Sequence, residues 1–168
     1  MTGDTRMNEN ITQATNKVHE IFLDNAKTLA IAESCTGGLL GAAITAQPGS
    51  SQFFLGGVIA YANRIKRSKL GVNSNVLLEN GAVSQPVAKQ MAEGVRHQFA
   101  ADVAVSVTGI AGPGGSTAEK PVGLVYLGYS GPSGTETIRE QFEGQRNAVR
   151  HQTIERALNL ILDCFPLD

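Results

Sequence analysis

The chain has 168 residues, a formal net charge of −1, 42% hydrophobic and 17% charged residues. That length supports one domain with a sizeable core and is too short for two ordinary ones. The near-neutral charge argues against a dedicated nucleic-acid binder. Cys35 and Cys164 lie far apart, and His19, His97 and His151 are equally scattered. No metal or redox spacing results, so neither a metal nor a cofactor is expected.

No window reaches the length of a membrane span, and no apolar core follows the polar residues 1–6 to act as a signal, so no membrane partner and a cytoplasmic location are expected. Residues 1–8 read as a disordered tail and residues 9–168 as a single domain, without repeats or linkers. Ile11, Ala14, Val18, Ile21, Phe22 and Ala26 predict an amphipathic helix over residues 10–26. A short apolar run at residues 28–34 predicts a strand covered on both faces, followed by a small-residue helix to about Gln47 and a turn at residues 48–51.

A second strand follows at residues 53–61, then a short basic helix at residues 63–70 with Asn63 as its cap and Gly71 as its stop. A brief helical piece lies near residues 74–79. Ser84 and Pro86 announce a longer helix running to about Phe99. A third buried strand at residues 102–108 opens into a glycine-rich loop at residues 109–116. Residues 123–129 and 135–142 form an antiparallel hairpin, and a last helix spans about residues 145–164. Five strands interleaved with helices predict an α/β fold: a three-layer α/β/α sandwich around a mixed, mostly parallel sheet.

The chemistry concentrates at Ala32-Glu33-Ser34-Cys35-Thr36-Gly37-Gly38, where the first strand runs into a helix start. A hydroxyl and a thiol sit side by side at a strand's carboxyl end, with helix N–H groups expected to point at them. Strand alternation separates the two. Cys35 falls on the face of Leu29, Ile31 and Glu33 and reads as a small buried hydrophobe, which leaves Ser34 as the favoured nucleophile. Glu33 reads equally as a partner for a cation or as a catalytic carboxylate, and is left out of the chemistry.

A serine nucleophile needs a base, and Lys66 follows the second strand closely enough to reach the first strand's end. Burial and the neighbouring cations Arg64, Arg67 and Lys69 would favour its neutral form. The same cluster also reads as a solvated helix face or a phosphate contact. Tyr61 offers a hydroxyl to an oxyanion or a proton relay, and Thr108 would face the same edge and orient substrate or Lys66. The loop at residues 109–116 lacks the endings of a P-loop and the spacing of a dinucleotide fingerprint, yet its amides can form an anion nest. Lys120 reads either as a phosphate contact or as a solvated surface lysine. Arg146 and Arg150, four apart on one helical face, read as a carboxylate or phosphate clamp.

Taken in order, these segments resemble the CinA C-terminal domain family, the competence/damage-inducible proteins, over essentially residues 10–165. Tyr61-Ala62-Asn63-Arg64-Ile65-Lys66, Gly81-Ala82-Val83-Ser84, Thr108-Gly109-Ile110-Ala111-Gly112-Pro113, Lys120-Pro121-Val122-Gly123 and the segment from Gly144 to Arg150 carry the resemblance beside the first motif. Larger members have an additional N-terminal domain, so this chain resembles the single-domain, nicotinamide-nucleotide amidase type. The resemblance implies hydrolysis of the carboxamide of nicotinamide mononucleotide, without a metal, by a Ser/Lys acyl-enzyme route.

It places the nucleophile on Ser34, the lysine on Lys66, the tyrosine on Tyr61, the post-strand residue on Thr108 and the C-terminal arginine on Arg146. Substrate binding is expected from Thr36, Gly37, Gly38, Gly109, Gly112 and Arg146. Amides near Thr36 and Gly37, or at Gly109, would hold the oxyanion. Ser116 stands where many members read glycine. The partner implied is a small-molecule nucleotide, and a homo-oligomer, dimer or higher, is expected. Two other readings stand beside the enzyme. One is a catalytically idle domain that binds a nucleotide or a partner protein. The other is a nucleic-acid-associated repair factor, against which the net charge weighs.

Overall fold

Leu29–Glu33 (β1) is buried at all five of its residues, as a central strand covered on both faces must be. In the computed structural model, which describes residues 7–166, it lies between Phe54–Ile59 (β2) and Val103–Gly109 (β3), parallel to both. Leu124–Gly131 (β4) and Gly134–Gln141 (β5) continue the sheet antiparallel, giving the order β2-β1-β3-β4-β5. The expected mixed α/β sheet of five strands is thus present, with its parallel part around β1 and an antiparallel hairpin at one side.

Strand alternation divides the core in two. Leu29, Ile31, Val103, Val105 and Val107 pack with the helices Glu9–Asp24 (α1), Leu39–Thr45 (α2) and Arg146–Cys164 (α6). Ala30, Ala32 and Ala104 turn the other way, toward Asn63–Leu70 (α3), Ser74–Asn80 (α4) and Gln85–Phe99 (α5). The small residues on this second face let α5 approach closely: Ser106 Oγ donates to the Ala88 carbonyl at 2.6 Å. That leaves the carboxyl ends of β1 and β3 side by side and opens a cleft above them.

Several boundaries differ from the sequence reading for local reasons. Asn8 belongs to the fold rather than to a tail, because its side chain accepts the Ile11 N–H at 2.8 Å and caps α1. Met7 packs partly buried on the core, and the rest of the expected tail, residues 1–6, lies outside the described residues. Asn63 is the first helical residue of α3, with Ala62 at the cap position. Ser84 does occupy the N-cap of α5, but its hydroxyl donates to the Gly81 carbonyl and caps nothing. Among the described residues no helix is long and apolar enough to cross a membrane.

Candidate active site

Beyond Glu33 the chain makes a tight turn over residues 34–37, closed by the Gly37 N–H donating to the Ser34 carbonyl at 3.0 Å. Ser34 itself is tied to the neighbouring strand, its N–H donating to the Val107 carbonyl at 3.0 Å. Gly37 and Gly38 hold φ values of 57° and 101°, a left-handed pair that swings the chain into α2 at little steric cost.

The start of α2 is not an open anion site. The Glu33 carboxylate, 2% exposed, accepts the N–H groups of Gly38, Leu40 and Gly41 at 3.1, 3.1 and 2.9 Å. Glu33 therefore pairs with a helix N-terminus and not with a cation, as the positive end of the helix dipole favours. The amides of Gly38, Leu40 and Gly41 are thus taken by Glu33, and that of Gly37 by the Ser34 carbonyl. Thr36, Gly37 and Gly38 build and close the turn, and none of the three lines the cleft.

Ser34 and Cys35 both border the cleft, but they differ in their packing. Cys35 belongs to the α1/α2/α6 core, and burial, aided by the Glu33 charge, pushes its thiol up to about 11. A thiol in that state stays protonated near neutrality and is a poor nucleophile. Ser34 faces α3. There Lys66, 1% exposed, reaches back from the first turn of the helix and places Nζ 3.0 Å from Ser34 Oγ. The same nitrogen donates to the carbonyls of Ala60 at 2.7 Å and Tyr61 at 3.3 Å.

Burial lowers the proton affinity of Lys66 below its ordinary value, against a smaller opposing influence from Cys35. Arg64, Arg67 and Lys69 lie exposed on the outer side of α3 and are not what lowers it, which corrects the role expected of the cation cluster. The two carbonyls suit either protonation state. A neutral amine gives its two N–H bonds to them and turns its lone pair to the serine hydroxyl. An ammonium gives its third N–H to Ser34 Oγ.

The cleft has a volume of about 250 Å³, with Ser34, Lys66, Tyr61, Thr108 and Arg146 in its walls. Arg146 spans its mouth, donating from Nη1 to the Gly112 carbonyl at 2.9 Å and from Nη2 to Tyr61 Oη at 3.0 Å. Gly109 and Gly112 line it as expected. At Gly109 a Cβ would stand 2.6 Å from a Val125 methyl and 2.9 Å from the Leu124 carbonyl, so only glycine fits beside β4. The amides of Ala111, Gly114 and Gly115, residues of the cleft lining, have no hydrogen-bond partner among the described residues.

Other expected groups are placed differently. The Thr108 hydroxyl donates to the Ala82 carbonyl at 2.8 Å, so it braces the cleft wall and does not orient Lys66. Lys120 donates to the Asn80 carbonyl and, like exposed Ser116, stands outside the lining. Arg146 and Arg150 do not form one clamp, because Arg150 donates to the Thr36 carbonyl behind the turn. The sequence reading missed Asn63, whose displacement from cap to first helical residue puts it in the cleft wall.

These features define a three-layer α/β/α domain with a buried serine–lysine pair at the carboxyl edge of a parallel sheet core. The model of the CinA C-terminal domain matches residues 11–165, and the chain belongs to that family. It is 54% identical over 137 residues to a CinA-like protein of Parasynechococcus marenigrum, covering 80% of this chain and 33% of that protein. A CinA-like protein of Gloeobacter violaceus is 48% identical over 143 residues, covering 84% and 34%. The chain thus spans about a third of the length of these curated relatives.

Solved structures match more evenly. The competence/damage inducible protein CihA from Agrobacterium tumefaciens superimposes with a TM-score of 0.92 at 37% identity, covering 95% of this chain and 98% of that one. The competence damage-inducible protein A (ComA) of Klebsiella pneumoniae gives 0.90 at 32% identity, covering 94% and 100%.

Proposed function

We propose that this domain is an amidohydrolase that converts nicotinamide mononucleotide to nicotinate mononucleotide and ammonia, with Ser34 as nucleophile and Lys66 as base. The observation that carries the reading is the 3.0 Å contact between Lys66 Nζ and Ser34 Oγ, made by an amine that burial drives toward its neutral form. A free serine hydroxyl is a weak nucleophile, and an adjacent neutral amine is one of the few groups that activates it.

In the proposed cycle Lys66 takes the hydroxyl proton as Ser34 Oγ attacks the carboxamide carbon. The amides of Cys35 and Thr36 hold the resulting oxyanion. The Lys66 ammonium then returns the proton to the departing nitrogen, and ammonia leaves an ester on Ser34. Lys66 next takes a proton from water, whose oxygen attacks that ester. Collapse of the second tetrahedral species releases the carboxylate and restores the serine hydroxyl.

Arg146 and the free amides of Ala111, Gly114 and Gly115 offer positive charge and donors to a phosphate. The choice of nicotinamide mononucleotide rests on the resemblance of the motifs to the amidase type.

The test is ammonia release from nicotinamide mononucleotide by wild type, Ser34→Ala and Cys35→Ala. Wild type and Cys35→Ala turn over, and Ser34→Ala falls by about 10³-fold or more. Activity that survives in Ser34→Ala but is lost in Cys35→Ala overturns the assignment. A wild type that binds the nucleotide without releasing ammonia identifies an idle binding domain instead.

A further inference from the structure

Two arginines one turn apart on α6 have different surroundings. Arg146 lines the cleft, whereas Arg150 reaches behind the nucleophile turn, where its Nη2 donates to the Thr36 carbonyl at 2.8 Å. A Cβ placed on Gly37 would lie 3.8 Å from that nitrogen, so the guanidinium rests directly against the turn. Arg150 makes no ion pair with a carboxylate among the described residues. Its Nε is buried without a partner. A partly buried guanidinium with a carbonyl as acceptor and one unused donor is a poor stabilising device. Its geometry relative to the turn explains it better.

The Thr36 carbonyl and the Gly37 N–H belong to one planar peptide unit and point in opposite directions. Ser34 O accepts at one end of that unit, and at the other the Thr36 carbonyl accepts both the Leu39 N–H at 3.1 Å and Arg150 Nη2, the guanidinium being the shorter contact. The plane is therefore pinned at both ends. Directly before it stand the amides of Cys35 and Thr36, which have no backbone acceptor and are the donors nearest Ser34 along the chain. Glu33 occupies the next amides, from Gly38 onward, so these two are what the turn has left to offer an oxyanion.

We propose that Arg150 is a positioning residue: by pinning the Thr36–Gly37 peptide plane from behind, it fixes the Cys35 and Thr36 amides as the oxyanion donors for Ser34. This role rests on the amide-hydrolysis reading above. With no ion-paired carboxylate on the guanidinium among the described residues, its charge also acts on the oxyanion as that charge develops. Arg150 touches neither substrate nor the reacting atoms, so its removal acts on kcat while substrate affinity is kept.

The experiment compares wild type, Arg150→Ala and Arg150→Lys in two assays at a temperature below each variant's unfolding midpoint. One is kcat and KM for ammonia release from nicotinamide mononucleotide. The other is the rate at which p-nitrophenyl acetate acylates Ser34, read as nitrophenolate release and by mass spectrometry, which needs no nucleotide. Arg150→Ala is expected to lose about 10²-fold in kcat and in acylation rate, with KM within about threefold of wild type. Arg150→Lys, with one donor in place of a fork, recovers part of the loss, and added guanidinium ion restores Arg150→Ala.

A folded Arg150→Ala with wild-type kcat and acylation overturns the inference, as does a loss confined to KM or to thermal stability. Should Arg150→Ala fail to fold, Arg150→Lys decides: a wild-type acylation rate there overturns the role. A wild type that is acylated at Ser34 but silent on the nucleotide removes the proposed substrate, and the acylation rates still judge Arg150. A wild type that p-nitrophenyl acetate does not acylate at Ser34 overturns the positioning role outright.

Discussion

Lys66 Nζ lies 3.0 Å from Ser34 Oγ, and its other two hydrogen bonds go to the carbonyls of Ala60 and Tyr61. None of these partners is a carboxylate, so no ion pair within the hydrogen-bonding shell holds the amine in its charged form. The sheet creates this arrangement. β1 and β2 run parallel with Glu33 opposite Ile59, so the residue after β1 and the helix after β2 meet at one edge. A lysine one turn into α3 then reaches the serine without strain.

The first prediction concerns pH. Burial lowers the Lys66 proton affinity below the ordinary lysine value of 10.5, so kcat/KM rises with pH as Lys66 loses its proton and then levels off. Lys66→Arg stays charged at every working pH and is inactive. Stability moves in the same direction. Between the folded-state value and 10.5 the unfolded chain binds more protons at this site, so unfolding free energy increases with pH across that window. Below the window the full cost of the buried charge remains, and above it the cost is gone. Denaturant titrations at several pH values test this, and the rise is absent in Lys66→Met.

A second prediction follows from Glu33. Its carboxylate accepts three N–H groups at the start of α2, a set of hydrogen bonds to a charged acceptor. Glu33→Gln keeps the shape, replaces one acceptor oxygen with an NH2 donor and removes the charge facing the helix dipole. It is expected to lower unfolding free energy by about 1.5–3 kcal/mol. The measurement is the urea midpoint at constant slope. An unchanged midpoint would show that the three contacts contribute nothing net.

How far the sequence could be read follows from the range of its signals. Alternation along β1 and β3 separates Leu29 and Ile31 from Ala30 and Ala32, and it sets Ser34 apart from Cys35 without any knowledge of the fold. The strand-to-helix junction at Tyr61 likewise announces where Lys66 would emerge. What stayed hidden depends on contacts that no local pattern encodes. A capping signature looks about three residues back from a helix, whereas Glu33 reaches Gly38, Leu40 and Gly41 from five to eight positions upstream. For that reason Thr36, Gly37 and Gly38 were expected at the ligand, while the carboxylate in fact occupies the helix start. Helical spacing put Arg146 and Arg150 on one face, but it could not show that Arg150 would donate to the turn at residues 34–37 while Arg146 lines the cleft.

The mouth of the cleft gives a third prediction. Arg146 donates to Tyr61 Oη and to the Gly112 carbonyl, both neutral acceptors that an anionic substrate group would outcompete. Arg146→Met retains the stem and loses the charge, so KM for nicotinamide mononucleotide is expected to rise about 10- to 100-fold while kcat changes less. Tyr61→Phe leaves Arg146 its carbonyl contact and has the smaller effect on KM. Steady-state kinetics on both variants decide the matter, and an Arg146→Met enzyme with unaltered KM would remove Arg146 from substrate binding.

Thr36 supplies the last. Its side chain is completely buried and its hydroxyl has no partner, while its carbonyl is held by Arg150. An unpaired buried hydroxyl is a cost to the folded state that the isosteric valine lacks. Thr36→Val preserves the backbone contact, since only the side chain changes, and the β-branched shape fills the same space. It is expected to raise unfolding free energy by about 1 kcal/mol and to leave kcat and KM for the nucleotide as they are. The outcome separates two roles for this residue. If the hydroxyl binds substrate, KM rises in Thr36→Val despite the gain in stability. If Thr36 acts only through its backbone, thermal stability increases and the kinetics stay constant, which is what its place outside the cleft requires.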